Sequence, residues 1–247
     1  MSLSPTSWRR ARLGLSIDVV AEGSESLARM TLFRSLGTDA IRNADQACSW
    51  RRARAGEQIL DYQSGGTDLF LVLRGHVRVT VITEAGEVIL RDIRDDEFFG
   101  EIAAIDGLPR SSAIVAVIDT TLARMTAPVF RKLVHAHPDV CDQLLLLLAS
   151  QVRMLANRVN EHSTLSVAQR IYAELLRLAR PAKGGKSEAV ISPPPTHSEL
   201  AARVGTRREA VTRELNGLER DGLLERRRGA IVVLDPARLR RMIEPPA

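Results

Sequence analysis

Cysteine is nearly absent from this sequence: Cys48 and Cys141, far apart, are the two in 247 residues. One chain therefore cannot build a disulfide framework, a four-cysteine zinc site or a four-cysteine iron–sulfur site. A reducing, cytoplasmic setting is the plain expectation. Long apolar runs are missing too. The five leucines from Leu144 to Leu148 are soon followed by Arg153, well short of the roughly 20 residues that a membrane-spanning helix needs. Near the N-terminus, Trp8-Arg9-Arg10 precedes a stretch, Leu13 to Ala21, that Ser16 and Asp18 interrupt, so no secretory or twin-arginine signal is expected. Metal-binding spacings are also lacking. His135 and His137, two apart, would point to different faces of a helix, and His76 reads as a strand-surface residue, so no metal site is expected.

What is present is concentrated in one run, Phe99-Gly100-Glu101-Ile102-Ala103-Ala104-Ile105-Asp106-Gly107-Leu108-Pro109-Arg110-Ser111-Ser112-Ala113. Gly100 lets the backbone approach a ligand closely, and the turn after it can present amide N–H groups to an anion. Arg110 can hold a phosphate bidentately. Glu101, acceptor-only when ionised, suits ribose hydroxyls and would repel a phosphate. Together these residues ask for a ligand with one phosphate and a free ribose hydroxyl. An enzymatic reading would make Glu101 a base, yet no nucleophile, metal cluster or second carboxylate accompanies it.

The net charge of +5 is unevenly spread. Met1 to Ser163 carries 19 basic and 20 acidic residues, whereas Thr164 to Ala247 carries 16 basic and 10 acidic. A small basic C-terminal domain behind a larger neutral one suits a sensor joined to a nucleic-acid reader.

Hydrophobic patterning divides the chain. Leu32 to Met125 reads as β-rich, with strands at Asp68–Gly75, His76–Ile82, Val88–Leu90, Ala113–Ile118 and Thr121–Met125 and a turn at Glu84-Ala85-Gly86-Glu87, so a jelly-roll or barrel is expected. From Pro128 the pattern becomes helical. Cys141, Leu145, Leu148, Val152, Leu155 and Val159 alternate four and three apart, the seam of a parallel helix dimer, while Leu144 and Leu147 widen the stripe toward the β domain. Packing of the whole helix on its own domain is the alternative. A second helix, Thr164 to Ala179, precedes a linker, Arg180 to Pro195, whose Gly185-Lys186-Ser187 lacks the first glycine of a phosphate loop.

Thr196 and Glu199 form a capping box for a helix that ends at Gly205. A second helix starts near Thr206 and carries Arg207-Arg208-Glu209-Ala210-Val211-Thr212-Arg213, a helix-turn-helix layout. Leu200, Ala201, Val204, Val211, Leu215 and Leu218 would face inward, leaving Arg208, Glu209, Thr212 and Arg213 to reach base edges. Leu223 to Leu234 reads as a winged hairpin whose Arg227 and Arg228 would lie near phosphates.

The run from Phe99 to Ala113 resembles the phosphate-binding cassette of cyclic-nucleotide-binding domains, F-G-E-[LI]-A-x(5)-P-R-[ST]-A, with the final alanine displaced by Ser112. From Leu32 to Leu234 the arrangement resembles the CRP/FNR superfamily of transcription regulators, on its cyclic-AMP receptor branch. The resemblance implies an α+β fold: an N-terminal extension (1–30), a cyclic-nucleotide-binding β-roll (31–138), a dimerisation helix (139–163) and a winged helix-turn-helix (164–247). It implies Gly100, Glu101, Ile102, Ala103, Arg110, Ser111 and Ser112 as ligand residues for cyclic AMP or cyclic GMP, with no metal. It also implies that Arg208, Glu209 and Arg213 correspond to the recognition motif R-E-x-x-x-R and read palindromic half-sites like TGTGA, since Arg fits guanine and Glu accepts from cytosine. Thr196, His197, Thr206, Arg207 and Thr212 would flank that contact, and RNA polymerase would be a partner. Ala210 and His197 depart from the family's threonine and arginine. The hydroxyl pair that contacts adenine in the family, one from each subunit, falls here on Leu155 and Ala156, neither of which can hydrogen-bond through its side chain. The base is then read by neighbours such as Asn157, Arg153 or Arg158, by backbone, or hardly at all. A ligand-independent regulator with a vestigial pocket is the alternative function.

Overall fold

A computed structural model describes residues 25–83, 86–182 and 187–243 of the chain. Two single turns of 3-10 helix at Leu27–Arg29 and Thr31–Phe33 lead into α1 (Thr38–Gln46). The β-roll follows: β1 (Cys48–Ala53), β2 (Gln58–Leu60), β3 (Leu69–Arg74), β4 (His76–Thr83), β5 (Gly86–Arg94), β6 (Phe98–Phe99), the short α2 (Glu101–Asp106), β7 (Ala113–Ala116) and β8 (Thr120–Met125). These strands make two four-stranded sheets, ordered β1-β8-β3-β6 and β2-β7-β4-β5. Glu84 and Ala85 of the expected turn lie outside the described residues.

The buried strand β3 shows why the sheets face each other. Its run Leu69-Phe70-Leu71-Val72-Leu73 is apolar at every position because both faces are covered. Phe70 and Val72 join Val77, Ile93, Phe99, Ile114 and Leu122 between the sheets. Leu69, Leu71 and Leu73 turn the other way, onto a second core with Phe33, Met125, Phe130, Val140 and Leu144. Leu27 and Met30 are buried in that second core, so the β-roll domain reaches back past residue 31.

α3 (Ala127–Ala136) runs into α4 (Pro138–Thr164), 27 residues and about 40 Å long. His135 lies in α3, whereas His137 is the junction before α4, so the two do not share a helix. Val140 and Leu144 anchor α4 on the β-roll. Of the seam, Cys141 and Leu148 pack partly against the same core, whereas Leu145, Val152, Leu155 and Val159 are uncovered, at 57%, 65%, 48% and 67% exposed. No helix among the described residues is long and apolar enough to cross a membrane.

α5 (Val167–Leu178) begins with a capping box of Ser166 and Gln169. The segment expected to be a plain linker instead contributes β9 (Arg180–Pro181) and β10 (Ala189–Ile191), because alternate residues of β10 complete the apolar face of a third sheet. Gly185 and Lys186 lie outside the described residues. Thr196 and Glu199 cap α6 (His197–Val204) reciprocally, as the sequence indicates, and Gly205 in left-handed conformation ends it. α7 (Arg208–Arg220), β11 (Leu224–Arg227), β12 (Ala230–Val233) and α8 (Pro236–Arg241) complete the reader domain, whose sheet order is β11-β12-β10-β9. Leu200, Ala201, Val204, Val211, Leu215 and Leu218 are all buried in its core.

Candidate functional site

Gly100 stands where β6 turns into α2, at φ 83°, a conformation that glycine adopts without steric cost. A Cβ there would lie 2.6 Å from Arg110 Nη1 and 2.8 Å from the Asp68 carbonyl. The space that a side chain would need is filled by the arginine. Arg110 is 3% exposed, donates from Nη1 to the Gly100 carbonyl at 3.1 Å and from Nη2 to the Asp68 carbonyl at 2.8 Å, and sits 5.9 Å from the Phe70 ring centroid. Its Nε is buried and has no hydrogen-bond partner in the structure. A guanidinium has five N–H donors, so this one retains donors for an anion. Burial pushes its pKa down, partly offset by Asp68. A phosphate beside it would relieve that penalty, because an opposite charge favours the charged form.

A cavity of about 240 Å³ opens in front of this pair, lined by Gly100, Glu101, Ile102, Ala103, Arg110, Ser111, Ser112 and Leu155. All the expected cassette residues therefore meet at one cavity. Within one chain Ala156 and Asn157 do not line it and are exposed on α4. Leu155 faces the cavity, and the residues after it are rotated away by about 100° per residue. The polar group that α4 does supply is Gln151, one turn before Leu155, together with Met154. Arg91 and Leu90 of β5 form another wall. Helical spacing back from Leu155 is the one sequence signal for Gln151, whereas nothing local marks Arg91.

Arg91 is partly engaged already, with Nη2 3.4 Å from the Phe98 carbonyl and Nη1 4.0 Å from Glu97. His76 is not the surface residue that its strand position suggests. Its side chain is 12% exposed and its Nε2 lies 3.2 Å from Asp92. The Asp92 carboxyl would be raised by burial, but His76, Arg78 and Arg203 outweigh this and hold it below the usual carboxylate range.

In the reader domain, Arg208, Glu209, Thr212 and Arg213 share one outward face of α7 with Asn216 and Arg220. Arg208, Glu209 and Arg213 are exposed. Thr212 is tied down, its hydroxyl donating to the Arg208 carbonyl at 3.0 Å and lying 2.8 Å from His197 Nδ1. Burial, with Arg226 and Arg208 nearby, lowers the pKa of His197, which favours its neutral form. Thr196 is occupied as the cap of α6, and Arg207 precedes α7 with no side-chain cap of its own. Arg227 pairs with Glu225 at 2.6 Å, while Arg228 and Gly229 make the wing's turn. Among the described residues, no cluster of three or more His, Cys, Asp or Glu side chains could hold a metal ion.

Residues 50–137 match the model of the cyclic nucleotide-binding domain, and residues 169–242 match that of the Crp-like helix-turn-helix domain. Over 212 residues the chain is 31% identical to a cyclic AMP receptor protein of Thermus thermophilus, a match covering 84% of this chain and 94% of that one. A solved CRP/FNR-family transcriptional regulator, also from Thermus thermophilus, is similar at TM-score 0.60 and 30% identity, over 79% of this chain and 98% of the other. A CooA mutant from Carboxydothermus hydrogenoformans shares the fold at TM-score 0.74 and 18% identity, covering 87% and 95% of the two chains.

Proposed function

This chain belongs to the CRP/FNR superfamily of DNA-binding transcription regulators, with a cyclic nucleotide-binding domain joined to a Crp-like helix-turn-helix, and from that premise we propose that it is a homodimer switched by cyclic AMP. The observation that carries the ligand is the single cavity at which Gly100, Glu101, Arg110 and Ser112 meet Gln151 of α4. Arg110 would hold the cyclic phosphate and Glu101 the ribose hydroxyl. The base would lie toward α4. A glutamine amide can donate and accept at once, which matches adenine's adjacent acceptor and amino donor. Arg91 would suit guanine, though it is partly engaged with Phe98 and Glu97. Cyclic GMP is therefore the second choice.

The exposed seam of α4 would pair two copies. Arg208, Glu209 and Arg213 would read TGTGA-like half-sites, one per subunit, while Arg227 and Arg228 touch phosphates. No catalytic step is assigned to the cavity. RNA polymerase would be met by the DNA-bound dimer.

Calorimetric titration with cyclic AMP and with cyclic GMP, each followed by binding to a TGTGA palindrome, tests this reading. Binding of cyclic AMP in preference to cyclic GMP, followed by tighter DNA binding, is expected. No heat with either nucleotide, together with intact palindrome binding, would replace it with a ligand-independent regulator.

A further inference from the structure

The reader domain is fastened to the β-roll by charge. From β4, Arg78 bonds to Asp92 of β5 at 3.0 Å and to Glu199 of α6. Asp92 in turn bonds to Arg203 of α6, whose Nη1 lies 3.7 Å from Glu174 of α5. Arg158 of α4 closes the circuit, with Nη2 3.6 Å from Glu174 and Nη1 3.4 Å from the carbonyls of both Ile89 and Arg203. Arg203 and Glu174 are 6% and 1% exposed. These are domain-to-domain contacts, since Arg78, Ile89 and Asp92 belong to the sensor and Glu174, Glu199 and Arg203 to the reader. A permanent junction gains most from apolar surface, whereas charged groups recover their hydration when they part. The chemistry of this junction suits one that opens.

Its position matters for DNA. Thr83, Gly86, Glu87 and Val88, at the tip of the β4–β5 hairpin, line one cleft with Arg207, Glu209, Ala210 and Arg213 at the start of α7. The major groove is about 12 Å wide, and a helix with its side chains already fills about 10–12 Å. A β-hairpin alongside the first turn of α7 cannot enter with it, and the Glu87 carboxylate would face phosphates. The same hairpin also borders the cavity through Val79, Leu90, Arg91 and Ile93. Val79 pairs with Arg91 and Thr80 with Ile89, so Leu90 is an extra, bulged residue. A bulge bends its strand locally and re-aims its side chains. Ligand-facing and reader-facing residues thus sit next to one another on β5.

We propose that Arg78 and Asp92, gripping Glu199 and Arg203, form an autoinhibitory latch that holds the reader against the β4–β5 hairpin with the DNA-facing end of α7 obstructed. The latch belongs to the chain without nucleotide, so its test needs none. Two full-length variants break it separately. Asp92→Asn removes the shared carboxylate in the same volume. Glu199→Gln keeps an oxygen to accept from the Thr196 amide, preserving the α6 capping box, while it removes the charge facing Arg78.

With folding verified by circular dichroism, nucleotide-free X-ray scattering should show a larger radius of gyration for both variants than for the parent, and chymotrypsin should cut faster at the α4–α5 junction, residues 165–166. Nucleotide-free affinity for duplex DNA, measured on mixed sequence at low salt and on the TGTGA palindrome, should rise by about tenfold, within the range of typical coupling between sites. Unchanged scattering and cleavage would overturn the latch. Separated domains with unchanged or weaker DNA binding would overturn its inhibitory role. If Asp92→Asn fails to fold, Glu199→Gln decides alone. A parent chain that ignores both cyclic nucleotides would defeat the proposed ligand without touching this comparison.

Discussion

Gly100 and Arg110 depend on each other, because the guanidinium occupies the volume that any Cβ at residue 100 would need. Gly100→Ala must both displace Arg110 and hold alanine at φ 83°, and strain of this kind costs about 1–3 kcal/mol. A lowered melting temperature with loss of nucleotide binding is the expected result. Arg110→Ala should abolish the calorimetric signal for cyclic nucleotide while leaving weak non-specific DNA binding; unchanged nucleotide affinity would remove Arg110 from the site. On α7 and the wing, Arg208 and Arg227 should separate by role. Arg208→Ala is expected to relax sequence preference, at about 1–3 kcal/mol for a bidentate guanine contact. Arg227→Ala should weaken all duplexes alike and flatten the salt dependence, since phosphate contacts carry no sequence information. A gel-shift series over operator variants and salt concentrations distinguishes the two. The residues most legible in the sequence are of this short-range kind, from Phe99 to Ser112 and from Arg207 to Arg213. Arg91 and Asp68 are not legible there, because their roles arise from neighbours many positions away, and Gln151 is signalled only by its helical spacing from Leu155.

At the scale of elements, α4 serves two surfaces with one sequence. Val140 and Leu144 bind it to the β-roll, and farther along Leu145, Val152, Leu155 and Val159 stand exposed on a heptad seam. Val152→Glu should place two carboxylates in the seam of a dimer while leaving the monomer's fold intact, because its side chain is exposed. Sedimentation should then report monomer where the parent is dimer, with DNA binding weakened; an unchanged mass would return α4 to a purely intramolecular role. Helices are the most readable elements, since the Thr196–Glu199 capping box and the Gly205 stop are local chemistry. The stretch from Arg180 to Pro195 reads as a linker because β9 and β10 are too short for periodicity, and pairing with β12 is what makes β10 a strand.

On the scale of the whole molecule, sensor and reader keep separate hydrophobic cores and are joined by ion pairs. If nucleotide favours the open arrangement, linkage requires the effect to run both ways. Operator DNA should then tighten nucleotide binding by the same factor by which nucleotide tightens DNA binding. Titrating nucleotide with and without saturating palindrome measures this, and an affinity ratio of one would exclude coupling between the sites.

The sequence by itself determined the two kinds of domain, their order, the run from Phe99 to Ser112 that lines the cavity and the outward face of α7. Each of these is written in residues close enough along the chain for backbone geometry and side-chain periodicity to act directly. Only the tertiary structure decided that Gln151 of the same chain faces the cavity, that His76 is largely buried against Asp92, and that Arg78 and Asp92 reach across to Glu199 and Arg203. Those relations join residues as many as 121 positions apart. Long-range pairing of charges depends on how folded surfaces dock, and no local pattern in the chain encodes it.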